Sequence, residues 1–564
     1  MKKELTVIDF FCGAGGFSEG FRQQGFKIVK GIDYWKPAIY THNLNHNLND
    51  TTKSILDFWT EDSSDILEIE KLEDTFCIVG SPPCVSFSSS NKSGYADKSH
   101  GIKLIEAFLR VIAVKKHKKN SKLKCWYMEN VPNSQKFVEV EYSFDKLNLG
   151  KWAKNNGKNP EDIALKVRDN GDILDSGDYG APQSRKRFIC GEWCETGDFL
   201  LPQKTHENKH ITLGDILAKL PKPNLSKKEV FEKKYIDPNY ANLIIDGDKL
   251  TDHFYDTGLY KIEWYDAKYL KQNHSYMGKM SFPENIDRPC RTIMATRSAK
   301  TRESLVFKSE YERIGNGEYR LPTIREIASL MGFPINYQFT GSEGSKWRQI
   351  GNAVSPHLSS ALAKVVRKKL KLKQINPNFE DLGDLYEKVE IKLNTFEMSP
   401  LDKPKKRMKN SKFRRHPYKS GNITVELMNY IEENKNDIPG KNWYIKMYFG
   451  TGIEHKVQVI TRNDYLFIEK YLEKNIKEFK KFKIDFERNF STIFGITKEE
   501  FQSRYEEDLH LVEKRNPLLI VEEVGYLIQK RKEKDDVVNI EIVEKNEIPL
   551  GQLYAIYSLG KFIF

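Results

Sequence analysis

Four short apolar runs within residues 1–130 constrain the fold more than any other feature of the sequence. They occupy residues 5–11, 27–33, 76–80 and 124–128. Their length and their β-branched and aromatic residues are typical of buried strands, and the intervals between them leave room for crossover helices. The pattern predicts a parallel α/β sheet. Ligands of such sheets bind at the edge formed by the carboxyl ends of the strands.

The first run leads into a glycine-rich turn, DFFCGAGGF at residues 9–17, and then into a helical pattern. Glycines let a ligand approach the backbone, and the N-terminus of the next helix offers unpaired N–H groups. An ordinary βα turn would explain the glycines equally well. Asp33 ends the second run about 20 residues later, where a carboxylate binds a ribose hydroxyl in such folds. This spacing favours a nucleotide-like ligand without identifying it.

Two candidate reactive side chains follow the third and fourth runs. Cys84 lies in GSPPCVSFS (residues 80–88), where two prolines stiffen the loop and fix the direction of the thiol. Glu129 lies in MENVP (residues 128–132), at the same expected edge of the sheet. A packed cysteine and a helix-capping glutamate are the structural alternatives. Their expected proximity favours a nucleophile beside a general acid.

A basic stretch, QSRKRFI at residues 183–189, comes next in the chain. Arg185 and Arg187 alternate with Lys186, so on a strand they would share one face. The structural interpretation is a solvated cationic strand. The functional interpretation is contact with anions and with a reacting base.

Taken in order, these residues resemble the motifs of the DNA cytosine-5 methyltransferases of bacterial restriction–modification systems. The late motifs of that family follow as RLPTIRE (residues 320–326), GFP (332–334) and QIGNAV (349–354). The resemblance extends from residue 5 to about residue 366, roughly two thirds of the chain. Val85 departs from the family pattern, which usually has glutamine after the cysteine.

The resemblance implies methyl transfer from S-adenosylmethionine to C5 of a cytosine within a specific double-stranded DNA sequence. Cys84 would add to C6 of a flipped-out base, and Glu129 would stabilise the protonated N3. Arg185 would favour the thiolate, and Arg187 would help to hold the base and the loop. Residues 86–101 are expected to close over the DNA.

The resemblance also assigns binding residues, and no metal site. Those expected to contact the cofactor are Phe11, Gly13, Gly15, Asp33 on the ribose, Tyr34 on the adenine, Pro83 and Asn352. The acid that binds the adenine is left open between Asp57 and Asp65. Those expected to contact DNA are Gln183, Ser86 and Arg325.

The expected architecture is a Rossmann-like, S-adenosylmethionine-dependent methyltransferase sheet with an inserted target-recognition domain and an extra C-terminal α/β or α+β domain. The expected segments are a catalytic domain in two parts (1–194 and 288–372), a target-recognition domain (195–287), a basic linker (373–419) and a C-terminal domain of unknown role (420–564). Strand-like runs within the last segment are expected at 442–449, 455–460 and 518–521.

The net charge of +12 is partly concentrated in residues 403–419, which contain nine Lys or Arg and no acid. Such an arm would neutralise several phosphates of DNA. An accessory DNA-binding or interaction domain is the preferred interpretation of residues 420–564. The alternatives are a structural extension or a fused restriction nuclease, because the triplet 433–435 (ENK) has the Glu-x-Lys form of many nucleases.

Two other interpretations concern the whole chain: a non-catalytic DNA-binding protein on a methyltransferase scaffold, and an RNA cytosine methyltransferase. Intact Cys84, Glu129 and Arg185 argue against the first, and the long variable segment favours duplex DNA over RNA. The expected partners are double-stranded DNA and, functionally, a restriction endonuclease that acts on the same site. Seven cysteines at irregular spacing and the lack of a membrane-spanning run indicate a cytoplasmic protein, expected to be a monomer.

Overall fold

The computed structural model describes residues 4–60, 64–83, 98–223, 225, 227–253, 257–259, 261–273, 278–299, 301–312, 317–375, 419–420, 423–429, 442–449, 456–506, 516–542 and 545–564. Cys84, Ser86, most of the basic arm 403–419 and the triplet 433–435 lie outside these residues. The chain divides into two compact units, Met1–Ser399 and Pro400–Phe564. In neither unit is any described helix both long and apolar enough to cross a membrane.

The first unit is built on a six-stranded sheet of order β2-β1-β3-β4-β8-β7. The first eight strands are β1 Thr6–Phe10, β2 Lys27–Ile32, β3 Cys77–Gly80, β4 Cys125–Asn130, β5 Glu141–Ser143, β6 Ile163–Lys166, β7 Gly171–Asp175 and β8 Lys186–Trp193. The four predicted strands are therefore confirmed, and they run parallel to one another. Strands β5 and β6 pair with each other outside this sheet.

Beyond the four predicted strands, the sheet is antiparallel at one edge. Strand β8 runs antiparallel to both β4 and β7. Only residues 176–185 connect β7 to β8. This is shorter than the dozen or more residues that a parallel crossover needs.

Helices pack on both faces of the sheet, α4 on one and α1 with α11 on the other. The helices described in this unit are α1 Gly16–Gln23, α2 Lys36–His46, α3 Asp65–Lys71, α4 Lys98–His117, α5 Gly150–Asn155, α6 Leu213–Leu217, α7 Lys227–Phe231, α8 Lys261–Gln272, α9 Ile324–Met331, α10 Glu343–Asn352 and α11 Pro356–Lys369. Short 3-10 helices span Ile55–Phe58, Pro132–Phe137, Ser176–Tyr179 and Gly247–Lys249. The remaining strands of this unit are β9 Lys234–Ile236, β10 Ile244–Asp246, β11 Phe307–Lys308 and β12 Tyr319–Arg320.

Neighbouring residues of each central strand enter different cores, as the two-residue period of a strand requires. Ile8, Ile78 and Trp126 pack with α4 in one core. Val7, Val79 and Tyr127 pack in the other core with Phe21 and Leu358. Helix α11 thus brings the end of the first unit against its beginning. Because the sheet is buried on both faces, a ligand-binding site is expected at its edge.

Residues 213–250, assigned above to a separate insertion, share a core with the late motifs. Leu213, Tyr240 and Ile245 pack with Ile327 and Ile350 in this core. A smaller core contains Leu259, Trp264, Ala267, Val306 and Leu321, on both sides of the predicted boundary at 287/288. The named strands in the described part of 288–323 are β11 and β12, each of two residues.

The second unit is α+β. Its strands are β13 Lys419–Ser420, β14 Ile423–Met428, β15 Tyr444–Phe449 and β16 Lys456–Ile460 in one antiparallel sheet, with β17 Val537–Ile542 and β18 Lys545–Pro549 as a separate pair. Its helices are α12 Arg462–Asn475, α13 Phe479–Phe490, α14 Lys498–Glu506, α15 Pro517–Gln529 and α16 Leu550–Ile563, with 3-10 turns at Ser491–Ile493 and Lys532–Asp535. Two of the three predicted strands, 442–449 and 455–460, are confirmed within two residues.

The predicted strand at 518–521 is wrong, because this segment lies in helix α15. Asn516 caps the helix by accepting a hydrogen bond from Leu519 N (3.0 Å), and Pro517 occupies its first turn. Both features start helices rather than strands. A four-residue apolar window cannot distinguish the two structures.

Candidate active site

The turn after β1 is held open by left-handed backbone conformations. Phe11, Gly13 and Gly15 have φ angles of 53°, 53° and 90°. Gly13 N donates to Asp33 Oδ2 (3.0 Å), and Trp35 N donates to Asp33 Oδ1 (2.8 Å). The carboxylate at the end of β2 therefore fixes the shape of the glycine turn from the side. Burial raises the pKa of Asp33, and the amide donors partly offset this effect.

The last of the late motifs lies against this turn. A Cβ atom at Gly16 would lie 2.1 Å from the carbonyl oxygen of Val354, so only glycine fits there. Asn352, at the end of α10, is exposed beside this contact. Tyr34 is 66% exposed just after β2. Asn352 and Tyr34 are thus accessible to a molecule bound at the turn.

The Ser81-Pro82-Pro83 loop follows β3 and is tied to both neighbouring strands. Ser81 N donates to Phe10 O at the end of β1 (3.1 Å). Asn130 Nδ2 donates to Pro82 O from the end of β4 (3.1 Å). The chain that leads into Cys84 is therefore anchored at the carboxyl edge of the sheet.

Glu129 is the last residue but one of β4, and both of its carboxylate oxygens have partners. Ser81 Oγ donates to Glu129 Oε2 (2.6 Å), and Arg187 Nε lies 2.8 Å from Glu129 Oε1. The side chains of Glu129 and Arg187 are 6% and 13% exposed. Charge-assisted bonds of this kind are short and directional. They hold a carboxylate in one place at the edge beside the Pro82-Pro83 loop.

Arg185 and Arg187 make contacts with different groups, and Arg185 lies just outside the strand. Arg185 precedes β8, and its guanidinium donates to Ile293 O (3.2 Å) and Gly351 O (3.0 Å). Arg187 pairs with Glu129 instead. Arg185 therefore connects the sheet to the late motifs, and Arg187 faces the candidate reactive carboxylate.

The family model for C-5 cytosine-specific DNA methylases matches residues 5–368. The chain belongs to this family. It is 27% identical over 382 residues to the type II methyltransferase M1.HphI of Haemophilus parahaemolyticus, covering 64% of this chain and 87% of that protein. It is 28% identical over 371 residues to the putative type II methyltransferase M.MJ0563P of Methanocaldococcus jannaschii, covering 65% and 100%.

Among solved structures, a putative DNA modification methyltransferase encoded within an E. coli prophage covers 65% of this chain and 100% of its own, with 21% identity and a TM-score of 0.40. Membership of the family confirms the expected enzyme class, a DNA cytosine-5 methyltransferase. The expected Rossmann-like fold is confirmed as well. The match ends at residue 368, so the second unit lies beyond the part that this methylase shares with its family.

Two of the three predicted DNA contacts of the methylase are contradicted by burial. Gln183 and Arg325 are both fully buried. Gln183 Nε2 donates to Met331 Sδ (2.9 Å), and Arg325 Nη2 donates to Thr251 Oγ1 (3.0 Å). Both side chains join segments of the first unit. Residue type alone cannot distinguish this role from a DNA contact.

The ion pair of Asp65 bears on which of the two acids, Asp57 or Asp65, is free to bind the adenine. Arg110 Nε and Nη2 contact Asp65 Oδ2 (2.7 Å) and Oδ1 (2.9 Å), and both side chains are fully buried. Asp57 is exposed in the 3-10 helix that follows Lys53, whose N donates to Asp33 O (2.9 Å). Asp57 therefore remains the accessible candidate.

A buried polar network beneath the glycine turn has no counterpart in the predictions. Ser18 Oγ donates to Asp9 Oδ2 (2.7 Å) and contacts His42 Nε2 (2.9 Å), and Tyr337 Oη donates to Ala14 O (2.6 Å). Burial raises the pKa of Asp9 to about 7 and lowers that of His42 to about 4. These residues are far apart in the chain, so no local pattern indicates the network. No metal-binding cluster of His, Cys, Asp or Glu occurs among the described residues.

Proposed function

We propose that this enzyme transfers the methyl group of S-adenosylmethionine to C5 of a cytosine that is flipped out of a specific double-stranded DNA sequence. The observation that carries the proposal is the carboxylate of Glu129, fixed by Ser81 and Arg187 beside the loop that leads to Cys84. A thiol and a carboxyl at one sheet edge are what nucleophilic activation of the pyrimidine requires.

The reaction balances with the residues of this chain. The thiolate of Cys84 adds to C6, and Glu129 stabilises N3 in its protonated form, so C5 gains enamine character. C5 then takes the methyl group: a C–C bond forms while the bond between this methyl group and the sulfonium sulfur of the methyl donor breaks, and the sulfur keeps the electron pair and leaves as the thioether S-adenosylhomocysteine. Loss of the C5 proton to a base returns its electron pair to the ring. The bond between sulfur and C6 breaks, and the thiolate of Cys84 leaves.

The residues around the glycine turn fit S-adenosylmethionine, which when bound supplies an electrophilic methyl group. Phe11, Gly13 and Gly15 would receive its methionine and adenosine parts, because their left-handed backbone conformations shape the turn where a ligand of such a sheet binds. Asp33 would bind the ribose, and exposed Tyr34 would stack on the adenine. Asp57 would bind the amino group of the adenine, and Pro83 and Asn352 would close the pocket.

The target base must leave the duplex, which costs a few kcal/mol of stacking and pairing. Arg187, next to Glu129, would help to hold the extruded base, and Ser86 with its loop would close over the DNA. We assign target reading to residues 195–287 and to the adjoining small core that contains Trp264 and Val306. The named relatives are type II methyltransferases. By analogy, the enzyme would act as a monomer that protects host DNA from an endonuclease of the same specificity.

For the second unit we propose an accessory role in DNA binding or interaction. Its excess of positive charge lies in the arm 403–419, with nine Lys or Arg and no acid, whereas residues 420–564 contain 22 Lys or Arg and 25 Asp or Glu. The arm therefore provides the phosphate contacts, and deleting residues 400–564 should make DNA binding weaker and less salt-dependent. Magnesium-dependent cleavage of unmethylated DNA by the full chain, lost on this deletion, would instead identify a nuclease.

The main test incubates the enzyme with tritiated S-adenosylmethionine and either duplex DNA or transfer RNA. Label is expected in DNA at C5 of cytosine and to be lost in Cys84→Ala. DNA with fluorine at C5 of the target should trap a covalent adduct, because the step that removes the C5 proton cannot occur. Absence of label in DNA would refute the proposed substrate, and full activity of Cys84→Ala would refute the thiol mechanism.

A further inference from the structure

Ser81 has a side chain whose direction is set by its neighbours. Its backbone N–H is bound to Phe10 O at the end of β1 (3.1 Å). Pro82 follows, which restricts the backbone of Ser81 to extended conformations. Its hydroxyl donates to Glu129 Oε2 at 2.6 Å. A short hydrogen bond from a constrained donor defines where the acceptor lies.

The carboxylate of Glu129 is held at both ends. Ser81 occupies Oε2, and Arg187 Nε occupies Oε1 at 2.8 Å. Two donors on different oxygens prevent rotation of the carboxylate about its last torsion angle. Each oxygen keeps a second lone-pair direction, so the group can still meet a base. Without Ser81, Arg187 alone would hold the carboxylate at one oxygen.

We infer that Ser81 is a positioning residue: its hydroxyl fixes the plane in which the Glu129 carboxyl meets N3 of the flipped cytosine. The inference rests on the proposed function. Ser81 lies three residues before Cys84 in the same loop, and Asn130 Nδ2 holds Pro82 O of that loop. The bond from Ser81 to Glu129 therefore connects the segment that leads to Cys84 with the carboxylate.

The test measures single-turnover methylation at saturating DNA and S-adenosylmethionine for Ser81→Ala, Ser81→Thr and the wild type. Ser81→Ala removes one hydroxyl and no charge. The rate is expected to fall about 10- to 100-fold, with the dissociation constants for DNA and cofactor changed less than about 3-fold. Ser81→Thr keeps the hydroxyl and should recover most of the rate.

Ser121→Ala is the matched control. Ser121 is also half-buried and also donates a 2.6 Å bond, to Lys115 O, but it lies before β4, at the other end of the strand that carries Glu129. Its methylation rate should equal that of the wild type. A similar loss of rate in Ser121→Ala would mean that any missing hydroxyl disturbs the fold, and it would overturn the inference.

Glu129→Gln distinguishes failure of the inference from failure of the proposed function. If Glu129→Gln is inactive and Ser81→Ala is as fast as the wild type, the positioning role of Ser81 is overturned and the proposed function stands. If Glu129→Gln keeps the wild-type rate, the proposed role of Glu129 fails and the inference fails with it. If both hold, adding Ser81→Ala to Glu129→Gln should cause no further loss, because the acid that Ser81 positions has already been replaced by an amide.

Discussion

Two acid–arginine pairs lie close to the sheet of the first unit, and their surroundings differ. Asp65 and Arg110 are fully buried between α3 and α4, with two nitrogen–oxygen contacts of 2.7 and 2.9 Å. Arg110 Nη1 also donates to Leu147 O (2.8 Å). Glu129 and Arg187 make one contact of 2.8 Å at the open edge, where Ser81 provides the second donor.

This difference separates a pair that stabilises the fold from the pair that we propose to act on the base. In the buried pair, the guanidinium donates its hydrogen bonds to groups of the protein. It therefore stabilises the fold and is not accessible to a ligand. At the edge, each carboxylate oxygen makes a single contact and keeps a second lone pair. The same two chemical groups therefore serve different purposes according to burial and to the number of their contacts.

The largest expected effect is on catalysis, from Glu129→Gln. The amide keeps an oxygen that Ser81 can donate to, but it cannot act as an acid. Methylation should fall at least 100- to 1000-fold, within the usual contribution of general acid catalysis. The thermal midpoint should move by no more than about 3 °C. Single-turnover rates and a melting curve test both parts. A variant that melts far below the wild type would make Glu129 structural, like Asp65.

The converse substitution, Asp65→Asn, should act on stability. It leaves the buried Arg110 without its charge partner, and breaking such a pair costs about 3 to 5 kcal/mol. Urea unfolding should report this loss, whereas the methylation rate of the folded fraction at low temperature should stay within about 2-fold of the wild type. If the rate falls and the unfolding curve does not move, the contrast between the two pairs is wrong.

The sequence allowed Glu129 to be predicted because its evidence is local: a short apolar run, an acid at its end and a known motif order. Ser81 and the network of Asp9, Ser18 and His42 were missed, because hydroxyl and imidazole groups are ubiquitous and their partners lie on other elements. Arg325 was wrongly predicted to contact DNA for the converse reason. Its charge is visible in the sequence, but its burial against Thr251 is not.

The same distinction between local and distant contacts separates the parts of the fold that the sequence predicts from those that it does not. The four parallel strands were predictable, because each is a short apolar run. The reversal of β8 depends on a ten-residue connection, and the core shared by Tyr240 and Ile327 depends on contacts between distant segments. The choice between Asp57 and Asp65 required Arg110, 45 residues beyond Asp65 in the chain.

A third acid, Asp9, is hydrogen-bonded to a hydroxyl rather than paired with an arginine. We expect it to make the stability of the fold depend on pH. Its pKa is raised to about 7 by burial, from about 3.9 in an unfolded chain. The folded state therefore binds the proton more tightly, so this contribution to stability is complete below pH 4 and is lost as the pH rises to about 7. Relative to Asp9→Asn, the wild type should lose on the order of 1 to 3 kcal/mol of unfolding free energy between pH 5 and pH 7.5.

Comparison with Asp9→Asn is needed because the pKa of neighbouring His42 is lowered to about 4. The contribution of this histidine to stability therefore increases with pH below pH 6.5, opposite to that of Asp9. The variant keeps this histidine, so the difference between the two proteins isolates the carboxyl group. Urea unfolding at each pH measures it. A difference that does not change with pH would show that Asp9 stays ionised in the fold.

The smallest expected effect comes from the exposed acid, Asp57. It accepts a hydrogen bond from Ser54 N (3.1 Å) and caps the 3-10 helix Ile55–Phe58, so Asp57→Ala should cost about 0.5 to 1 kcal/mol of stability. If it also binds the adenine, affinity for S-adenosylmethionine should fall about 10-fold, which a cofactor titration measures directly. Asp65→Asn is the control, and its folded fraction should bind the cofactor normally. Unchanged affinity in Asp57→Ala would leave adenine recognition to the backbone beside Ser54, because Asp65 is already occupied by Arg110.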